Sequence, residues 1–238
     1  MDCKMCHLSN NFWKEILVNA DFQRILIRMF YQHEFNLMCL ESYLKLCAPS
    51  PYEAAQIIFK VLEIYSVSEI IQILNENFVP FTIEAKDIPQ FSSFDDCYIR
   101  VPSDLLSSGN ESVNFDKMGF FLRKESRKVG ADKKYGENHA KTAALMGLCE
   151  IKRKVGITTT PLGVAFDSLP MEEKVDLKPK LCLYIPLIQN YFVQGCDDRI
   201  IKDSMSILSL STQKRRASNV KCLINIVKDS IDNELYQS

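Results

Sequence analysis

Asn114-Phe-Asp-Lys-Met-Gly-Phe-Phe-Leu122, Lys134-Tyr-Gly-Glu-Asn-His-Ala-Lys-Thr142, Cys149-Glu-Ile-Lys-Arg-Lys-Val-Gly-Ile-Thr-Thr159 and Thr160-Pro-Leu-Gly163 follow one another and decide the fold. Ser112 or Asn114 caps a helix over residues 114–127, because a short polar side chain satisfies the first free backbone N–H groups. Phe115, Met118, Phe121 and Leu122 recur at helical spacing and face inward. A break at Val129-Gly130 and a basic turn, Asp132-Lys-Lys-Tyr135, lead to a second helix over 136–148. Its apolar face is small (Ala140, Ala143, Ala144), which allows close approach to the first helix, and Glu137, Asn138, Lys141 and Thr142 face outward. The β-branched runs 149–154 and 157–159, joined at Val155-Gly156, form a hairpin. Thr160-Pro161 then starts another helix with Phe166 and Leu169 inward.

Outside this core the pattern is also helical. Phe12, Ile16 and Leu17 lead into Phe22, Ile25, Leu26 and Met29 at spacings of three and four. Further helices are expected at 37–47, at 52–64 behind Ser50-Pro51, and at 67–77. Residues 78–84 suit a strand, and 87–112, rich in Ser, Asp, Pro and Asn, read as a linker that is loosest at Ser107-Ser-Gly-Asn110. A helix over 171–193 is expected to kink near Pro179 or Pro186, followed by one over 197–208. The last helix, from Ser211-Thr212, turns Ala217, Val220, Ile224, Val227 and Ile231 inward and Lys214, Arg215, Ser218, Asn219, Lys221 and Asn225 outward, with Arg216 nearer the buried edge. The expected architecture is mainly α with a small β wing. An N-terminal helical domain (1–86) for assembly and a linker (87–112) precede a C-terminal helix-turn-helix domain with a wing (113–238).

Composition narrows the function. The 238 residues are 47% hydrophobic and 25% charged, as in an ordinary globular chain. No apolar run approaches the roughly 20 residues of a membrane helix. Nor does the N-terminus carry the apolar centre of a signal peptide, so a cytoplasmic protein with no membrane partner is expected. Nine cysteines, scattered among apolar neighbours, read as reduced thiols in the core rather than a disulfide framework. The net charge of −1 hides a division: residues 1–122 carry 9 basic and 16 acidic side chains, residues 123–238 carry 20 and 14, and residues 123–154 alone carry 10 and 4. A local excess of +6 attracts polyanions.

The stretch from Lys134 to Leu148 with its hairpin and Thr160-Pro-Leu-Gly-Val-Ala-Phe166, and the ending Leu210-Ser-Thr-Gln-Lys-Arg-Arg-Ala-Ser-Asn-Val-Lys221, resemble winged-helix domains attached to bacterial restriction enzymes and to some ATPase-linked regulators. The resemblance covers about residues 113–230 and leaves out the acidic half. It implies a double-stranded DNA-binding protein or subunit of a restriction-modification or other defence system, or a regulator, without catalysis of its own and without a cofactor. The residues themselves suit that role. A recognition helix presents short polar groups to base edges with cations for phosphates. Asn138 can pair with adenine and Arg215 with guanine, and Lys141 can meet base or phosphate. Lys152, Arg153 and Lys154 on the wing suit the backbone. Lys133, Lys134, Tyr135, His139, Thr142, Lys214 and Asn219 complete the candidate set, although Glu137 and Lys141 also fit a plain i,i+4 pair and His139 also fits packing against Tyr135.

Two other chemistries leave partial traces. Glu84-Ala-Lys86 matches half of a Mg²⁺-dependent nuclease centre, in which carboxylates hold the metal and a lysine supports the attacking water; its upstream Pro-Asp is missing. Cys3-Lys-Met-Cys6-His7 offers half a zinc site with no second Cys-x-x-Cys to complete it. A third reading makes the wing a protein-interaction module, and the acidic half a surface for a protein partner or a second copy.

Overall fold

The computed structural model describes residues 19–33, 50–76, 78–123 and 130–237. Among them the protein is mainly helical, with one small antiparallel sheet. The expected helix over 37–47, the side chains of Phe12, Ile16 and Leu17, and Cys3 and Cys6 lie outside the described residues.

Three helices build the front half: α1 (Ala20–Tyr31), α2 (Pro51–Ile64) and α3 (Val67–Asn75). Each starts where a polar side chain takes a free N–H: Asn19 accepts from Phe22, Ser50 from Glu53 with Pro51 in the first turn, and Ser66 from Glu69 in a reciprocal capping box. In α1 the inward face is Leu26, Ile27, Phe30 and Tyr31, while Ile25 is 45% exposed.

The expected strand over 78–84 is absent; the segment is extended but its partner is a side chain. Asn190 accepts from the Phe81 N–H at 2.9 Å and donates to the Phe81 carbonyl at 2.8 Å, so one amide supplies both bonds a neighbouring strand would have made. A single 3-10 turn (Ala85–Asp87) follows.

The stretch read as a linker is largely structured. A π-helical segment (Asp96–Arg100) runs directly into α4 (Val101–Ser107), and Cys97, Tyr98, Val101 and Leu105 are buried. Ser93 serves the helix start, its Oγ accepting from the Asp96 N–H, and Pro102 lies where the π-helical segment passes into α4. Apolar side chains of both halves meet in one continuous core. Phe59 of α2 lies 6.1 Å from Phe166, Tyr98 lies 4.9 Å from the same ring, and Tyr31 donates to the Lys180 carbonyl.

The remaining elements are α5 (Phe115–Arg123), α6 (Ala131–Leu145), β1 (Cys149–Lys152), β2 (Gly156–Thr159), α7 (Pro161–Asp167), α8 (Met171–Leu183), α9 (Pro186–Val193), α10 (Asp198–Met205) and α11 (Leu210–Gln237). Asp132-Lys-Lys-Tyr135, read as a turn, is the first turn of α6, entered from Gly130 at φ +77°. α5 and α6 touch backbone to backbone, since a Cβ on Gly119 would overlap the Asp132 carbonyl and one on Gly136 would overlap that of Phe115. The kink expected near Pro179 or Pro186 is a break at Tyr184-Ile185; Pro186 opens α9, and Pro179 lies inside α8. In α11 Val220, Leu223, Ile224 and Val227 are buried and Ala217 is exposed. Cys97, Cys149 and Cys182 are unpaired and buried, and burial raises all three, whereas Cys222 is half-buried and Cys196 is exposed rather than in the core. No helix among the described residues is long and apolar enough to cross a membrane.

Candidate nucleic-acid interface

The candidate surface grows from the α4–α7 segment. Val113 bridges to Ile157, so the hairpin is fastened to the chain just before α5; the register pairs Cys149 with Thr159 and Lys152 with Gly156. The hairpin ends in a turn closed by the Val155 N–H to the Lys152 carbonyl at 3.2 Å. Lys154 occupies φ +67°, a region ordinarily left to glycine. Arg153 and Lys154 are exposed, Val155 is 54% exposed, and Lys152 lies 3.1 Å from Glu150. The hairpin tip is therefore basic and solvent-facing.

Arg100 and Asp96 tie the end of α5 and the first turns of α6 together. The Arg100 guanidinium donates to the Phe121 and Leu122 carbonyls near the end of α5 and also meets Asp96 at 3.2 Å. Tyr135 donates to the other Asp96 oxygen at 2.5 Å, and the Arg123 guanidinium sits 4.0 Å from its ring. Burial, then the Asp96 bond, pushes the Tyr135 phenol up to about 12. The exposed stripe of α6 carries Lys133, Lys134 and Lys141 with Asn138 half-exposed beside them. Glu137 lies on that stripe and holds Lys141 at 2.6 Å and Lys134 at 3.1 Å; the Lys141 bond, then Lys134, keeps its carboxyl below the usual range. The i,i+4 pair expected from the sequence is thus formed, and it leaves a net positive stripe.

Three candidate contact residues face inward instead. His139 is fully buried, stacked 3.9 Å from the Tyr135 ring. Its Nδ1 lies 2.7 Å from the Tyr135 carbonyl, which can only accept, so Nδ1 carries the proton and Nε2 accepts from the Ser92 and Ser93 N–H groups at 3.2 and 3.3 Å. Thr142 is buried and donates to the Asn138 and Gln90 carbonyls. Asn219 is buried and donates to the Phe91 carbonyl at 2.7 Å. All three bind protein backbone, which is why polar groups sit at buried positions. Tyr135 is also engaged, half-buried with its hydroxyl on Asp96.

These bonds define a feature that the sequence did not disclose. Residues 85–93 run between α6 and α11. From α11, Arg216 donates to the Ala85 and Ile88 carbonyls at 2.7 Å each and to Gln90 Oε1 at 3.3 Å, and Asn219 holds Phe91; from α6, Thr142 holds Gln90. The only signal was the placement of Arg216 at the buried edge of an otherwise basic face. Lys214 and Arg215 are exposed on α11, Arg215 reaching Thr212 at 3.2 Å.

Glu84 and Lys86 stand on the exposed 3-10 turn, 2.8 Å apart, rather than at the end of a strand. Among the described residues no group of three His, Cys, Asp or Glu is placed to hold a metal. A separate cleft of about 720 Å³ between α8 and α11 carries Glu63, Glu173, Asp176 and Glu234. Glu234 is occupied in accepting the Val67 and Ser68 N–H groups at the start of α3, and burial, then Glu173, raises Glu63. Comparison with protein-family models, with curated proteins and with solved structures returned no match.

Proposed function

We propose that residues 96–167 form a winged-helix unit that binds double-stranded DNA, with the exposed stripe of α6 at the groove and the hairpin tip on the backbone. The observation that carries this reading is the element order α4, Val113 bridge, α5, α6, hairpin, joined to six exposed cations: Lys133, Lys134, Lys141, Lys152, Arg153 and Lys154. The 96–107 helix supplies the first helix such a unit needs, which a linker would not. Asn138 is the one half-exposed amide on the stripe and is assigned base contact, while Lys214 and Arg215 extend the basic surface along α11. In the setting that the resemblance implies, the protein is the DNA-reading part of a defence system or a regulator.

Six phosphate contacts give a slope of log affinity against log salt near −5, at roughly −0.9 per phosphate. Fluorescence anisotropy with a labelled duplex at several salt concentrations measures it, and an affinity that stays flat with salt would overturn the reading.

Lys154 separates fold from binding. Its left-handed backbone costs a side chain about 1–2 kcal/mol, part of which glycine returns as unfolded-state entropy, about 0.4–1 kcal/mol. Lys154→Gly is expected to keep or slightly raise the melting temperature while duplex affinity falls about eightfold at 0.1 M salt, the share of one phosphate. Thermal melting and anisotropy on the same sample test both, and a lower Tm would show that the turn does not hold this residue in the left-handed region.

A further inference from the structure

Four side chains hold residues 85–93 through their backbone: His139 and Thr142 from α6, Arg216 and Asn219 from α11. Only one of them changes its hydrogen-bonding character between pH 5 and 8. Thr142, Arg216 and Asn219 donate at every pH in that range, whereas the bonds of His139 to Ser92 and Ser93 depend on a lone pair at Nε2. A proton there turns the acceptor into a donor pointing at two N–H groups.

We propose that His139 is a protonation-controlled latch: the neutral ring fastens Ser92-Ser93, and with them the start of the 96–107 helix, to α6, and the imidazolium releases them. The surroundings favour release over accommodation of the charge. Among the described residues Asp96 is the carboxylate facing the ring, and it is already taken by the Tyr135 hydroxyl and Arg100. Arg100 from the π-helical segment and Arg123 from α5 are the facing cations, and Tyr135 stacks on the ring as a neutral phenol. Burial is the largest influence lowering the His139 proton affinity; its bond to the Tyr135 carbonyl and Asp96 oppose it, and the two arginines add to it.

The sign follows from that direction. The closed state binds its proton less tightly than the open one, in which the ring returns to about 6.5. Latching is therefore complete above that value and is lost as pH falls from it toward the lower closed-state value. Between pH 7.5 and 5.5 the open-to-closed ratio rises, with a ceiling of about tenfold set by the open state.

Nothing in this device requires DNA, so it stands or falls apart from the binding function. Amide hydrogen exchange on the full chain, corrected for the intrinsic pH dependence of exchange, is expected to show less protection at Ser92 and Ser93 at pH 5.5 than at pH 7.5, by up to about tenfold. Protection at Leu223 in α11 is expected to hold. His139→Gln keeps a side-chain acceptor without a titrating group and is expected to remove the pH dependence. Should that variant not fold, NMR titration of the unaltered protein replaces it, with Ser92 and Ser93 opening at the midpoint of the His139 ring. Protection that ignores pH, that follows the exposed His33 just past the end of α1, or that is lost equally at Leu223 would each overturn the latch.

Discussion

Gly136→Ala is expected to lower the melting temperature by about 2–12 °C through overpacking alone. Helix propensity alone argues the opposite, since alanine in a helix interior is better than glycine by about 1 kcal/mol. Packing decides the sign. The new Cβ would overlap the Phe115 carbonyl oxygen and crowd the Gly119 N–H, both backbone groups inside α5 that cannot rotate aside. Overpacking a tight contact costs about 1–3 kcal/mol, and here relief requires moving one helix off the other. Gly130→Ala is the control: its Cβ meets nothing within 4 Å, so only the strain of φ +77° is felt, about 1–2 kcal/mol. If Gly136→Ala melted at or above the unaltered protein, the backbone contact between α5 and α6 would be refuted.

The second large effect is on binding. Replacing Lys152, Arg153 and Lys154 together with alanine removes three of six assigned phosphate contacts. At 0.1 M salt the expected loss of duplex affinity is about 500-fold, and the salt slope falls from about −5 to about −2.7. All three side chains are exposed, so the circular dichroism spectrum and melting curve are expected to stay as they are. Unchanged affinity in this variant would remove the wing from the DNA surface and favour a protein partner for it.

The features legible in the sequence were those set by local chemistry. Ser50-Pro51 fixed the start of α2, Asn114 that of α5 and Thr160-Pro161 that of α7, because caps and first-turn prolines act within a few residues. The hairpin followed from β-branched runs around Val155-Gly156. What escaped depends on partners far away in the chain. The polar composition of 87–112 suggested a linker, yet its Ser93 serves a helix start whose Tyr98 anchors to the carbonyl of Lys174. Residues 78–84 have strand-like composition, but Asn190, 109 positions from Phe81, provides the pairing. At the candidate site the split is similar. The exposed lysines of α6 and the wing were readable from charge and periodicity. His139, Thr142 and Asn219 lie on helix faces that look open until 85–93 is laid across them, and no spacing rule announces that an extended segment will take their bonds.

That segment also sets an order of events. Ile88 is fastened by Arg216, 128 residues later, and Val67 by Glu234, 167 residues later. During synthesis from the N-terminus, the start of α3 and residues 85–91 wait for the last helix to emerge before these hydrogen bonds can close. Contacts of such long range also slow folding, because the loop entropy is lost before the contact forms. α11 thus acts as the closing element of assembly, and stalled or shortened chains that lack it would expose the apolar surface it covers, chiefly on α8 with parts of α3 and α9, to chaperones and proteases.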